Sequence, residues 1–167
     1  NNAGQGLLCN AVSTKMEDFD YIMDLNVRSI FNLTQLAIPH LIKTQGNIVN
    51  ISSVAGLRPT PSVVYGMSKA ALDQFTRCLA LELASSNVRV NSVNPAAIVT
   101  NFIQATGLTD EATEKFYEIL APMHALGRVG NVQETAHAIA FLASEMSTFI
   151  TGTTLAVDGG FVLMGPR

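Results

Sequence analysis

The sequence has little charge. Lysine, arginine, aspartate and glutamate make up 14% of its 167 residues, against about 25% in an ordinary soluble domain. The net charge is -3 and the basic residues are scattered, so the composition favours neither nucleic acid nor an anionic membrane as a partner. No apolar run approaches the roughly 18 residues of a membrane span. Either helix surface is buried against partners, or part of an ordinary fold is missing.

Cysteine is also scarce. The two cysteines, Cys9 and Cys78, stand apart in apolar surroundings. Buried free thiols are predicted rather than a disulfide, which favours a reducing compartment. The first residues, NNAGQG, have neither the basic start nor the apolar centre of a signal peptide, and resemble the loop after a strand. We therefore predict a cytoplasmic protein, with mitochondria or another organelle left open because the preceding strand is missing.

Apolar spacing divides the chain into alternating helices and strands. Helices are predicted at 14–43, 63–85, 109–120 and 132–144, and strands at 47–51, 88–93 and 153–157. Ser13 or Thr14 is the predicted cap of the first helix, and Thr109 or Asp110 that of the third. Strands joined by crossover helices indicate an α/β fold with a parallel sheet covered on both faces. No linker divides the chain, so we predict one domain over 1–167.

Polar residues collect just after the predicted strands. Ligands of a parallel sheet bind beyond the carboxyl ends of its strands, and the segments there are NNAG, ISS, NPAAIVTN and VDGG. Two serines, Ser52 and Ser53, end one strand. Tyr65 and Lys69 follow four residues apart on a predicted helix, which puts the phenol and the ammonium on one face. These groups together predict a proton-transfer site.

Several ordered blocks cover nearly the whole chain. They are NNAG at 1–4, LNVRS around Asn26, NIVNISS at 47–53, YxxxK at 65–69, RVNSVNPAAIVTN at 89–101, LGRVGNVQETAHAIAFLAS at 126–144 and ITGTTLAVDGG at 150–160. In this order they resemble the short-chain dehydrogenase/reductase family, closest to its 3-oxoacyl-acyl-carrier-protein reductase-like and carbonyl or xylulose reductase-like members. The resemblance implies a Rossmann-like, doubly wound parallel sheet, NAD(P)(H) as cofactor, and hydride transfer between nicotinamide and a carbonyl or alcohol.

The resemblance also implies roles for single residues. Tyr65 would be the general acid in reduction, Lys69 would hold the nicotinamide ribose hydroxyls, and Ser53 would hydrogen-bond the substrate oxygen. Asn26 would order a water linked to Lys69. The other implied cofactor contacts are Asn2, Ala3, Gly4, Pro95, Ile98 and Thr100. We expect Lys69 and the cofactor's charge to lower the pKa of Tyr65 by roughly 1–3 units, into a range where proton transfer is efficient.

The sequence departs from the family pattern in three ways. The glycine-rich TGxxxGxG block is absent, so the chain is predicted to be the C-terminal portion of the fold, without most of the first βαβαβ half. The sequence therefore leaves the choice between NAD and NADP open, with NADP slightly favoured. Ser53 lies one residue nearer to Tyr65 than is usual, which leaves Ser52 as the alternative by count, whereas strand alternation favours Ser53. Ala96 replaces the usual glycine after Pro95, and we expect it to crowd the backbone there.

We therefore predict an NAD(P)-dependent oxidoreductase for a small ketone, 3-oxoacyl or sugar carbonyl substrate, with the segment 104–126 as the substrate wall. The histidines His40, His124 and His137 lack ligand spacing, so no metal is predicted. The low charge of the first two helices fits a homotetramer or homodimer of the intact protein. The alternative is a non-catalytic fragment that serves only in oligomerisation or interaction. These 167 residues alone are expected to aggregate or fold poorly, because a sheet edge would be unpaired and apolar faces exposed.

Overall fold

A computed structural model describes residues 1–164, in which helices and strands alternate. The helices are α1 (Met16–Met23), α2 (Ser29–Thr44), α3 (Val63–Leu83), α4 (Asp110–Leu120) and α5 (Val132–Ala143), and the strands are β1 (Asn47–Ile51), β2 (Arg89–Pro95) and β3 (Thr154–Val157). Every predicted element forms, with ends within two residues of the expected ones. In this part of the chain no helix has both the length and the hydropathy to cross a membrane.

The three strands form one parallel sheet in the order β1-β2-β3. Ile48 lies opposite Val90, and Ser92 lies opposite Thr154. The backbone of Asn1 extends the ladder beyond β1: its nitrogen donates to the Val49 oxygen at 3.0 Å, and its oxygen accepts from the Ile51 nitrogen at 2.9 Å. The first residues therefore begin at the same edge of the sheet at which all three strands end.

Side chains alternate between two helix layers along the sheet. Ile48 and Val90 point towards α3, where they form a core with Leu79 and Leu83. Side chains at the start of β1 and β2 point the other way; the Arg89 guanidinium donates to the Leu142 oxygen at the end of α5. With α3 on one face and α5 on the other, β2 is buried over its five central residues. The α/β, Rossmann-like class predicted from the sequence is confirmed.

A π-helical turn over Asp24–Arg28 joins α1 to α2. Its buried residue, Asn26, lies four residues after Ile22 and four before Ile30. A regular α-helix advances by 3.6 residues per turn, so a row of residues spaced by four drifts around the helix. The wider turn offsets part of this drift. It keeps Asn26 on the buried side of the helix.

Two local predictions are wrong. Neither Ser13 nor Thr14 caps the first helix, because Lys15 occupies that position without a side-chain hydrogen bond. The Asn10 side chain forms the preceding turn by accepting from the backbone nitrogens of residues 12 and 13. Both cysteines are free as predicted, but Cys78 is exposed because it falls on the outward face of α3. The alternative cap at Thr109 is confirmed for α4.

Candidate active site

The carboxyl ends of the strands open into a cavity of about 820 Å³. Its walls contain most of the residues expected from the sequence: Asn2, Gly4, Ser53, Tyr65, Lys69, Pro95, Ile98 and Thr100. Two expected residues do not line it. Asn26 is fully buried behind the first loop, and Ala3 is exposed to solvent. The topology therefore gathers side chains from four separate stretches of the chain at one edge of the sheet.

The two serines at the end of β1 face opposite ways. Ser52 continues the row of Ile48 and Asn50 towards α3, is 3% exposed, and donates to the Lys69 main-chain oxygen at 3.2 Å. Ser53 is half-buried in the cavity wall, and its side chain hydrogen-bonds to Tyr65. Because successive side chains alternate across a strand, only one of the two can reach the phenol. The structure brings Ser53 to Tyr65 and uses Ser52 to join β1 to α3.

The phenol of Tyr65 holds its proton more tightly than a free phenol. Burial raises its pKa above 10, and the hydrogen bond with Ser53 offsets part of that rise. The lowering of this pKa expected from the sequence counted Lys69 together with the charge of the cofactor, and the protein groups by themselves act in the opposite direction. Burial of the phenol outweighs the charge of Lys69, whose ammonium lies 5.6 Å from the centre of the Tyr65 ring and donates to the Ile51 oxygen at 2.8 Å.

The Lys69 ammonium is buried, and on one side it borders the cavity. It is 4% exposed, and burial lowers its pKa to about 8, an effect that the negative charge of Asp73 opposes. A side chain at position 4 would place its Cβ 3.4 Å from the Lys69 nitrogen. Glycine at that position keeps the space beside the ammonium free. The space suits polar groups such as the hydroxyls of a ribose, which could accept the remaining N–H bonds.

Asn26 holds the first loop in place. Its Oδ1 accepts from the Gln5 nitrogen at 2.9 Å, while its Nδ2 donates to the Gln5 oxygen and to the Ser68 hydroxyl, both at 3.0 Å. The oxygen and the nitrogen of the side-chain amide are therefore both engaged with protein atoms. A water between Asn26 and Lys69 remains a prediction. The hydrogen bonds support a role for Asn26 in positioning Gly4 beside Lys69.

Tyr117 is a residue of the site that sequence reasoning missed. Its hydroxyl lies 3.1 Å from the Ile98 oxygen and 3.2 Å from the Thr100 oxygen, and it accepts from the Thr100 nitrogen at 3.3 Å. These bonds fix the loop after β2 to α4. A tyrosine within an amphipathic helix gives no local signal of such a role, because its partners come from a loop 17 and 19 residues earlier.

Ala96 introduces no backbone strain into this loop. Among residues 1–164, the non-glycine residues with a positive φ are Gln45 and Asn87. Ala96 therefore has an ordinary negative φ, and its nitrogen donates to the Val157 oxygen at 3.2 Å. The crowding expected from the loss of glycine does not arise from a left-handed backbone at this position.

Two arginines near the site, Arg58 and Arg128, are engaged with other protein groups. Arg128 forms an exposed ion pair with Glu134 at 2.6 Å. Arg58 lies 4.7 Å from the centre of the Phe161 ring and donates to the Phe161 oxygen at 2.9 Å. Arg58 thus ties the segment after β3 to the loop that carries Ser53.

The turn after Ser53 packs closely against α3 at Gly56, and a substitution there can test this contact. A side chain on Gly56 would place its Cβ 2.5 Å from the Asp73 carboxylate and 2.9 Å from the Lys69 carbonyl carbon. We expect Gly56→Ala to displace the turn and to lower the free energy of unfolding by about 1–3 kcal/mol, as overpacking does. Urea denaturation of the intact gene product measures it. Leu57→Ala, at an exposed neighbour, should cost less than 1 kcal/mol, as surface changes do; equal losses would contradict the close contact.

Comparison with known proteins agrees with this geometry. The family model described as enoyl-(acyl carrier protein) reductase matches residues 1–162. A tropinone reductase homolog of Arabidopsis thaliana is 43% identical over 170 residues, covering 99% of this chain and 60% of its own length. The 3-oxoacyl-[acyl-carrier-protein] reductase of Thermotoga maritima is 40% identical over 165 residues, which cover 98% of this chain and 65% of the reductase. The solved structure of ElxO with NADP bound superposes with a TM-score of 0.89 at 33% identity, over 98% of this chain and 66% of ElxO.

The chain thus spans about 60–65% of the length of these curated relatives. Over that span the match runs through the strand ends, the Ser53 turn, the Tyr65–Lys69 helix and the loop after β2. The strand order, the cavity at the carboxyl ends and the matching family model lead to one conclusion: the chain belongs to the short-chain dehydrogenase/reductase family.

Proposed function

We propose that the intact gene product is an NAD(P)-dependent oxidoreductase that interconverts a carbonyl and an alcohol, with Tyr65 as the general acid or base. One observation carries the proposal. A phenol hydrogen-bonded to a serine, with a buried ammonium on the same helix, lines the cavity at the carboxyl ends of a parallel sheet. Such groups converging in a cavity form a proton-transfer site.

The residues present fit the nicotinamide end of a dinucleotide. Glycine at position 4 leaves room beside the Lys69 ammonium, and Pro95, Ile98 and Thr100 form the adjacent wall. When bound, the cofactor supplies or accepts the hydride. Because a structural neighbour was solved with NADP bound, NADP is the cofactor to test first, and NAD remains the alternative.

The proposed roles follow from the protonation states. The raised pKa of Tyr65 means that the phenol carries its proton at neutral pH, as a general acid for carbonyl reduction requires. The Ser53 hydroxyl can donate to the same substrate oxygen and stabilise its developing charge. Lys69, with a pKa of about 8, is largely charged at neutral pH. Its ammonium can bind the cofactor's hydroxyls and favour the phenolate once Tyr65 has given up its proton.

The cavity favours a substrate with an apolar body. Much of the remaining cavity wall is built from apolar side chains: Phe102, Ile103, Leu108, Phe116, Leu120 and Met123. The ring of Phe102 lies 5.9 Å from that of Tyr65, so it borders the reacting carbonyl. We therefore place a ketone or 3-oxoacyl group ahead of a sugar among the candidate substrates.

The surface supports association of subunits. Leu33 and Leu36 on α2 are 59% and 73% exposed; three residues apart, they lie on one face of the helix, and neighbouring exposed apolar side chains are typical of an interaction surface. A homotetramer or homodimer that buries α2 is the assembly that we propose. A cytoplasmic location agrees with the two free cysteines.

The intact gene product tests the proposal directly. Consumption of NADPH and NADH should be followed with a cyclic ketone, a 3-oxoacyl thioester and an aldose at neutral pH. We expect turnover with at least one ketone or 3-oxoacyl substrate. Fluorescence titration should show NAD(P)H binding to the intact product and little binding to residues 1–167 alone. Binding without turnover of any substrate, or no binding to the intact product, would favour the non-catalytic interaction module instead.

A further inference from the structure

Asp73 is a buried carboxylate to which the proposed chemistry assigns no role. It is 1% exposed and lies on α3 four residues after Lys69 and eight after Tyr65. Residues spaced by four share one face of a helix. The helix therefore presents a phenol, an ammonium and a carboxylate along a single edge, with the carboxylate deepest in the protein.

Hydrogen bonds connect Asp73 to the loop that carries Ser53. Asn94 Nδ2 lies 3.0 and 2.9 Å from the two carboxylate oxygens, and the Ser92 hydroxyl lies 3.2 Å from one of them. The same Asn94 nitrogen donates to the Ser53 main-chain oxygen at 3.0 Å. Asn94 is fully buried, so it cannot exchange these partners for water. Asp73 orients Asn94, and Asn94 holds the backbone of Ser53.

The charge of Asp73 also acts on Lys69. Burial lowers the pKa of Lys69 to about 8, and the negative charge of Asp73 opposes that effect. The other groups that face Lys69 are neutral: the Ile51 oxygen from β1, Gly4 with Asn26 behind it, and the Tyr65 phenol from α3 itself. Within residues 1–164 Lys69 forms no ion pair. Asp73 is thus the charge that supports the ammonium.

We propose that Asp73 is a positioning residue with two effects: through Asn94 it holds Ser53 towards Tyr65, and through its charge it keeps Lys69 protonated at neutral pH. The inference rests on the proposed oxidoreductase function for its kinetic consequences. Its electrostatic part can be measured without turnover.

The kinetic test compares Asp73→Asn with Glu82→Gln in the intact gene product. Glu82 is an exposed carboxylate on the same helix, so its variant makes the same change in net charge outside the network. Because burial raises the pKa of Tyr65 and that of Lys69 is about 8, Lys69 is the first of the two to lose its proton as the pH rises. For reduction, kcat/KM should fall above about pH 8. We call this fall the alkaline limb of the pH profile. In Asp73→Asn the limb should begin roughly one pH unit lower than in the wild type, and in Glu82→Gln it should keep its position.

Asp73→Glu separates position from charge. It keeps the carboxylate but displaces it, so kcat should fall by about tenfold while the alkaline limb keeps its wild-type position. If Asp73→Asn does not fold, Asp73→Ser replaces it, because a hydroxyl can still accept from Asn94. If Asp73→Asn lost the same fraction of kcat/KM at every pH, Asp73 would have a purely structural role. That result would overturn the proposal that its charge keeps Lys69 protonated. A wild-type kcat in Asp73→Glu would overturn the positioning part.

A titration by NMR tests the electrostatic part independently of activity. With ¹³C-labelled lysine, the Lys69 signal is identified by its loss in Lys69→Met, and its pKa should be lower in Asp73→Asn than in the wild type. If the wild-type protein reduces no substrate but this difference is found, the proposed function fails and the link between Asp73 and Lys69 stands. If turnover is found and the Lys69 pKa is the same in both proteins, that link is wrong while the proposed function stands.

Discussion

Replacing Tyr65 by phenylalanine in the intact gene product should lower kcat by about 10²–10⁴-fold, the range that general acid–base catalysis contributes. The substitution removes the phenolic hydroxyl that hydrogen-bonds to Ser53 and leaves the ring, which lies 5.9 Å from that of Phe102. Without the hydroxyl, the chain has no proton donor at this position for the carbonyl oxygen. The packing of the cavity wall should persist, because the two side chains have nearly the same shape.

Two measurements accompany that prediction. The NADPH affinity measured by fluorescence titration should change by less than about threefold. The Lys69 ammonium and the space that Gly4 leaves beside it are unchanged in this variant. Tyr21→Phe serves as the matched control, because Tyr21 is 55% exposed and its hydroxyl donates to the Gln5 side chain, outside the cavity wall. An unchanged kcat in the Tyr65 variant would remove this residue from the mechanism, and an equal loss in both variants would point to a general structural effect.

Replacing each of the two serines by alanine should affect a different property: turnover for Ser53 and stability for Ser52. Ser53→Ala should lower kcat by about 10²-fold or more, the cost of removing a donor to a developing oxyanion, with little change in melting temperature. Ser52→Ala removes a buried hydroxyl that donates to the Lys69 oxygen. It should lower the free energy of unfolding by about 1–2 kcal/mol and leave kcat within a few fold.

Steady-state kinetics and thermal denaturation on the same preparations separate these outcomes. Each variant controls for the other, because both remove one hydroxyl from the same strand end. If Ser52→Ala lost turnover while Ser53→Ala only lost stability, the assignment would be reversed, as the count of residues to Tyr65 allows. Alternation along β1 argues against that result, since Ser52 follows Ile48 and Asn50 on the face covered by α3.

The elements and much of the site were predictable because their signals are local. Apolar spacing located the three strands and four helical stretches within residues 1–164, the first of which the structure divides into α1, a π turn and α2. Parallel strands end at one edge, so the polar segments after them had to meet there. Strand alternation, a property of neighbouring residues, separated Ser53 from Ser52. These inferences needed no knowledge of how distant segments pack.

What the sequence missed depends on distant partners. Asp73 resembles a solvated helix residue until Asn94, 21 residues later, is folded against it. Tyr117 gains its role only when the loop after β2 reaches α4. Burial raises the pKa of Tyr65, an effect that spacing does not reveal, because spacing counts the nearby charge of Lys69 and not the water that burial removes from the phenol. Desolvation is a property of the whole fold and leaves no motif.

The π turn over Asp24–Arg28 also has a consequence for how this region can change in length. Ile22, Asn26, Ile30 and Thr34 are the buried residues of the helical stretch, at constant intervals of four. The wide turn lets this row run nearly parallel to the helix axis, with Asn26 placed against the Ser68 hydroxyl of α3. A deletion of one residue between 24 and 28 would restore an ordinary helix without breaking it. It would nevertheless turn Asn26 away from Gln5 and release the loop beside Lys69. The length of this turn therefore matters to the site more than to the helix.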